Sequence, residues 1–541
     1  MQAFLSIYGL IDWIIRGVAM ASQTLVVGGV AFWALTLTVL EPGSSERLAL
    51  GKIVLRILFC SALVLGFAQL VAAGGLTAFL TGSTHANFTT VVSADAVIFS
   101  LLAAAAAFAL AYATRRSSRP AIGPLFFLCA VIVAAHAGVT HAASRAEPSP
   151  ALLAAETLHL FALGAWLGGI PYFIASLRTL GATDGRLVVS ARFSFVSLFA
   201  VPLMIATGVL MSFPYVGSWE RLYQTNYGLL LGTKLALLAI LLCLGGANFL
   251  AIRKLRRGAS AAFQSVPIFG EAEIAVGLIA VLCAVALASS PLAADTRAER
   301  PSGSEIATRF EFTSPRLAIP TQPPSPNLNA ESSSNGALGT DLPSGEAERS
   351  PLDIAWSETQ HHYAALLVIF TGMVALVSQS GGMRPLTRHW PALFLSLAVY
   401  LFIVADEDAW PLGETGFFVS LATPRIAQHK LMIAMVAGLA LFEWRVQSRE
   451  AASAWLSLAF PVIIAAASAF LLTHYGHTGR KEEVLIEVSH MPIALLGVIA
   501  ATARWLELRL PSSALSRFAA IVWPVALIAA GAFLLMYRET A

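Results

Sequence analysis

Two short stretches combine residue types that can do chemistry. "AETLHLFALGAWLGG", residues 155–169, holds Glu156 and His159; "LIEVSHMPIALLG", residues 485–497, holds Glu487 and His490 at the same spacing. Residues three apart on a helix share one face. A carboxylate and an imidazole on one face are a half-set of metal ligands. Both pairs lie in apolar runs, where an ionisable group is costly and marks a functional site. Each pair is therefore read as half of a metal site that neighbouring helices complete. His136 and His141 would complete the first, with Met204 and Met211, two turns apart, offering thioethers that suit Cu(I). His429, His474 and His477 would complete the second, with Asp406 or Asp408 of "ADEDAWPLG" as ligand or support. The plainer readings stand beside these. Glu156 could accept a hydrogen bond from a hydroxyl and bind nothing. The methionines could fill core space. Trp166 and Trp410 suit packing or interfacial anchoring, and Gly168 and Gly169 suit close helix packing.

The elements that must carry these residues are membrane helices. The chain has 541 residues, 57% hydrophobic and 12% charged, with a mean hydropathy of +0.74. Soluble domains carry about a quarter charged residues. Only helices or closed barrels satisfy a backbone in lipid, and long apolar runs without alternation select helices. The fold class is an all-α polytopic membrane protein. Runs fall near 13–40, 52–80, 94–114, 121–142, 151–177, 191–213, 229–252 and 271–293, then near 363–380, 389–405, 426–444, 455–474, 484–505 and 517–537. That predicts about fourteen spans, eight plus six. The first run is too long for a signal h-region and lacks a basic segment before it. Asp12 and Arg16, four apart, are placed to pair at its outer end.

Basic residues fix the sidedness. The odd gaps between runs hold 20 of the 34 Lys and Arg residues, in both halves, while the short even gaps of the first half hold only Arg145 and Arg221. Both termini are thus expected outside, and the odd gaps in the cytoplasm. Ten of the eleven histidines then fall at the outer side; His389 alone falls at the inner face. The domains expected are an eight-helix unit over 1–293, a Pro/Ser/Asn/Gly-rich external linker over 294–356, and a six-helix unit over 357–541 with an outer His/Asp/Glu cluster. Such a linker buries too little apolar surface to order itself, and it contains no His, Met or Cys. The four cysteines lie in apolar runs without a CxxC pair, which argues against disulfides or a thiolate cluster. The net charge of +3 calls for no nucleic-acid partner.

Four segments in order, "LHLFALGAWLGGIPYFIASL", "ARFSFVSLFAVPLMIATGVLMSF", "YQTNYGLLLGTKLALLAILLCLGGANFLAIRKL" and "EAEIAVGLIAVLCAVALASSPL", resemble the copper resistance protein D (CopD) family. The resemblance covers about residues 1–293. It implies a multi-pass protein of the bacterial inner membrane that handles copper, taken as uptake from periplasm to cytoplasm in copper homeostasis or resistance. It also implies a periplasmic copper-binding partner of the CopC type. Nothing here matches the periplasmic copper-binding domain that some relatives carry. The six-span half is similar to an extension of some long CopD-like proteins, and its metal reading rests on its residues alone. No Walker A or aspartyl-phosphate motif appears, which argues against ATP-driven pumping; no enzyme is expected in the first half, and the C-terminal half is left open. Asn248 and Lys234 are the polar positions deeper in the first half. The alternative function is a membrane redox protein, with haem between His429, His474 and His490 or a carboxylate-bridged di-metal centre in the second bundle.

Overall fold

The computed structural model describes all residues except 1, 85–86, 118, 144–148, 181–183, 258–263, 297–298, 319–350, 380–388, 407–408, 449–453, 473–480 and 540–541. Every apolar run is helical, and no strand occurs among the described residues. In the first half the helices are α1 (Gln2–Ala31), α2 (Ser45–Thr84), α3 (Asp95–Arg116), α4 (Ile122–Ala137), α5 (Pro150–Thr179), α6 (Asp184–Val216), α7 (Asn226–Arg256) and α8 (Ser265–Ser289). In the second they are α9 (Pro351–Gln379), α10 (Pro391–Val404), α11 (Pro424–Ser448), α12 (Ala459–Leu471), α13 (Lys481–Arg509) and α14 (Ala514–Leu535). Eleven are long and apolar enough to cross a membrane. The other three, α4, α10 and α12, have 16, 14 and 13 residues, short of the roughly 20 that a crossing takes.

The chain divides into two compact units, the first built on Met1–Glu299 and the second on Arg300–Tyr475, Lys481–Leu508 and Arg517–Ala541. In the first, α2 packs on α1 and α3, α5 on α6, and α7 on α8. Its core joins Phe32, Tyr172, Phe173 and Phe193, with the Phe173 and Phe193 rings stacked at 4.6 Å. The predicted pair forms within α1, about three turns from its start, with Arg16 Nε 2.6 Å from Asp12 Oδ2. Helix α5 is interrupted by a π-helical turn over Gly164–Gly168, a feature common at functional sites. There α5 crosses α1 backbone to backbone. A Cβ on Gly168 would stand 1.9 Å from the Thr24 carbonyl oxygen, and one on Gly28 would stand 2.1 Å from the Gly168 carbonyl carbon. Only glycine fits where the two helices touch.

In the second unit α10 packs on α9 and α11, and α11 on α12. Its aromatic core is Trp390, Phe460 and Trp523, with ring centres 5.3–5.8 Å apart. The guanidinium of Arg504 lies over the Phe460 and Trp523 rings and donates to Glu443 and Glu507, each at 2.8 Å. Arg504 is therefore a buried packing and ion-pair residue, although the sequence groups it with the cytoplasmic basic gaps. The predicted flexible linker also differs in its first part. Residues 302–308 form a capped helical turn, in which Ser302 and Glu305 cap each other. Arg309 donates to the Arg538 carbonyl, and Arg316 pairs with Glu358 at 3.4 Å. Hydrogen bonds and ion pairs order this stretch, which has little apolar surface to bury. The helix of the second half begins at Pro351, six residues before the expected boundary.

Candidate functional site

In the first unit the polar residues meet at one end of the bundle. The turn after α6 uses Gly217 at φ +82°, a left-handed conformation suited to glycine. Arg221 donates to the Ala293 carbonyl at 2.8 Å, and the Ala294 N–H donates to the Tyr215 carbonyl. Thr225 caps α7 by accepting from the Gly228 N–H. These contacts tie the ends of α6, α7 and α8 together. His141, just past α4, stands edge-on to Tyr215 and Tyr227 at 6.3 Å. Its buried Nε2 has no hydrogen-bond partner among the described residues.

One and a half to three turns into α5 from this end lie Glu156 and His159. His159 Nδ1 is 3.0 Å from the Met204 carbonyl oxygen and 3.1 Å from Thr207 Oγ1. Thr207 commits its own hydroxyl hydrogen to the Leu203 and Met204 carbonyls. Nδ1 of His159 must therefore donate, and the lone pair of the neutral ring sits on Nε2. The ring rests on Gly208, where a Cβ would stand 3.3 Å from Cε1. Glu156 lies within electrostatic reach of Lys234 of α7 and of Tyr227. Deeper, α7 and α8 bring Asn248 to Glu273, and the Asn248 amide donates to the carboxylate. Glu273 is 3% exposed. The sequence gives little sign of it, because it opens an apolar run, where a carboxylate reads as a boundary.

The predicted first metal set is only partly assembled. His136 lies within electrostatic reach of Arg16 of α1, and no hydrogen bond or ion pair joins it to Glu156 or His159 among the described residues. Met204 meets His159 through its carbonyl, and Met204 and Met211 are both buried as packing residues. Spacing along one helix cannot foresee which neighbour a ring turns towards. Among the described residues no three His, Cys, Asp or Glu side chains gather at coordination distance.

In the second unit the starts of α9, α11 and α13 meet the ends of α10 and α14. His429 Nδ1 is 2.7 Å from Asp406 Oδ1, and Lys430 Nζ is 3.6 Å from Oδ2 of the same carboxylate. Asp406 is thus a support that holds His429. His490 meets His361 and Tyr537, with ring centres at 5.9 and 5.3 Å. Glu487 is a correction. It shares a helix face with His490, yet its neighbour is Glu483 one turn back, and it joins no imidazole among the described residues. Asp408, His474 and His477 lie outside the described residues. His361, absent from the predicted set, is the ring that meets His490. His389 is exposed beside Trp444 at the other end.

Residues 187–287 match the family model "Copper resistance protein D". The stretch covers α7, nearly all of α6 and most of α8. It holds Met204, Thr207, Lys234, Asn248 and Glu273 but not Glu156 or His159. The chain is 32% identical over 177 residues to the copper transport protein CutJ of Bacillus subtilis (strain 168). That match spans 31% of this chain and 30% of the relative's length. No solved structure matches the chain.

Proposed function

We propose that this chain, whose residues 187–287 belong to the copper resistance protein D family, moves copper through its first unit from the periplasm into the cytoplasm. It would sit in the bacterial inner membrane, receive copper from a periplasmic carrier of the CopC type, and catalyse no reaction of its own. One observation carries this reading. His159 is fixed to α6, inside the family-matched region, with its lone pair on Nε2 and Glu156 one turn away on the same helix. A neutral imidazole and a carboxylate in an otherwise apolar helix suit a desolvated metal cation. The ammonium of Lys234 competes with such a cation for Glu156. The entering ion would displace that interaction, and Lys234 would return to the carboxylate between passages. Glu273 and Asn248 offer a second polar level further along α7 and α8. The membrane potential favours inward cation movement by about 2.3 kcal/mol per charge per 100 mV, so no nucleotide is needed.

The test is copper accumulation in cells expressing His159→Ala or Glu156→Gln at equal membrane protein levels. Both should lose most copper-dependent uptake, and His389→Ala should match the parent. Normal uptake by His159→Ala would overturn the proposal.

A further inference from the structure

We propose that the C-terminal end of α7 binds an anionic phospholipid, with the phosphodiester headgroup on Arg253, Lys254, Arg256 and Arg257 and an acyl chain along the helix. With Leu255 these residues form the stretch "RKLRR". Arg253, Lys254 and Arg256 fall in the last turn of α7, and Arg257 is its C-cap. All of them are exposed, and none of their side chains makes a hydrogen bond or an ion pair among the described residues. The chain holds no Asp or Glu between Glu220 and Glu271. Glu271, near the start of α8, is held by Arg178 at 2.8 Å. Other arginines of the basic gaps are held by the protein too. Arg47, Arg186 and Arg192 donate to the Leu40, Leu177 and Leu35 carbonyls.

The same face of α7 is apolar below these charges. Leu235, Leu242 and Phe249 are exposed and seven residues apart, two helical turns each, so they line one side of the helix. Arg253 and then Arg257 continue that line at steps of four, and Lys254 follows the exposed Leu250 in the same way. Ala251 and Ile252 are buried on the side that faces the bundle. The cations therefore stand on the outward side of α7, at the end of an apolar stripe. From Leu242 to Arg253 the helix rises roughly 16 Å at about 1.5 Å per residue. That is close to half of the hydrocarbon thickness of about 30 Å, the depth of one leaflet. A lipid chain lying on Leu242 and Phe249 brings its phosphate to Arg253.

Guanidinium groups bind phosphate oxygens through paired N–H donors, and basic clusters just beyond a membrane helix attract anionic headgroups. The positive-inside bias accounts for basic residues at this end of α7, and the helix dipole favours cations at a C-terminus. Neither requires that all of them lack a protein partner and stand on the lipid side of one helix. A bound headgroup also bears on the ion, and this step rests on the function proposed above. Helix α7 carries Lys234 and Asn248, so a cation following those levels leaves near Arg253. Unopposed positive charges there repel it, and an anionic phosphate offsets them.

The test titrates the purified full-length chain in detergent with phosphatidylglycerol or phosphatidylcholine and reads bound lipid by native mass spectrometry. The parent should retain phosphatidylglycerol in preference. A basic residue near an anionic surface contributes about fivefold to binding. The variant combining Arg253→Gln, Lys254→Gln, Arg256→Gln and Arg257→Gln should therefore lose at least about tenfold in affinity. Lys52→Gln with Arg56→Gln, both exposed on α2, should keep the affinity of the parent. Equal retention of the two lipids by the parent overturns the site and needs no variant. Displacement of the lipid by excess inorganic phosphate overturns the lipid as ligand in favour of a free anion. A second arm measures copper uptake into vesicles of phosphatidylcholine, with and without phosphatidylglycerol. The parent should gain several-fold with the anionic lipid, and the combined variant should not respond. Selective binding with uptake indifferent to phosphatidylglycerol overturns the role at the exit and keeps the site. No uptake in either vesicle refutes the function proposed above, and the titration still decides the lipid site.

Discussion

His159 Nδ1 lies 3.0 Å from the backbone oxygen of Met204, so the imidazole is fixed to the chain of the neighbouring helix. This sets both the tautomer and the position of the ring. Gly208 gives the ring its seat, since a Cβ at that position would stand only 3.3 Å from Cε1. Gly208→Leu should therefore push the ring off Met204 and reduce copper uptake nearly as far as His159→Ala does. Thr207→Val removes one weak partner and keeps the carbonyl, so its loss should be several-fold smaller. Uptake at matched expression checks the order. Equal activity of Gly208→Leu and the parent would show that the position of His159 does not matter.

The α1–α5 crossing makes a separate claim about stability. Gly168→Ala places its Cβ 1.9 Å from the Thr24 carbonyl oxygen, so the helices must separate. Overpacking of this kind costs about 1–3 kcal/mol. Gly74→Ala, where a Cβ meets nothing within 4 Å, should be neutral or gain about 0.5–1 kcal/mol from the helix preference of alanine. Thermal unfolding in detergent should rank Gly168→Ala below the parent and Gly74→Ala at or above it.

These examples show how far the sequence can be read. Apolar run length locates the eleven helices long enough to cross a membrane and the three shorter apolar ones among the described residues, because backbone satisfaction in lipid leaves little choice. It does not reveal that α4, α10 and α12 are short: Gly138 follows α4, and a polar residue, Asp406, stands two residues past the end of α10. Within one helix, spacing is reliable, as for Asp12 with Arg16. Between helices it fails. Glu487 shares a face with His490, but the ring that arrives there is His361, from a helix more than a hundred residues earlier. Asp406 is of a ligand's residue type, yet both its oxygens face α11. Glu273 is hidden for the same reason, since its partner Asn248 belongs to another helix.

Arg504 offers a test of buried electrostatics in the second unit. Its side chain is 6% exposed and that of Glu443 is fully buried. Arg504→Ala leaves the Glu443 carboxylate without its cation, a change that costs about 3–5 kcal/mol. Arg504→Leu combined with Glu443→Leu removes both charges and should recover most of that loss. Unfolding of the purified chain in a detergent titration measures both. A double variant no more stable than Arg504→Ala would mean that the cost lies in packing on Phe460 and Trp523 instead.

Sidedness underlies the proposed direction of transport and can be tested without copper. The basic gaps predict that Ser117 and Leu255 face the cytoplasm and Phe312 the periplasm. Each can be replaced by cysteine after Cys60, Cys129, Cys243 and Cys283 are removed. Cys129 and Cys283 are buried, so serine at those two sites needs a stability check before labelling. Phe312 is 76% exposed, in the ordered stretch before α9. A membrane-impermeant thiol reagent applied to intact spheroplasts should label Phe312→Cys and leave Ser117→Cys and Leu255→Cys unmodified until the membrane is opened. Lys254, Arg256 and Arg257 flank position 255 and raise the reactivity of a cysteine there by favouring its thiolate. Protection of that site in intact cells is therefore informative. Labelling of Ser117→Cys from outside would invert the first unit and place Glu156 and His159 at the cytoplasmic side. Their role would then be release of the ion, and uptake would have to begin at Glu273.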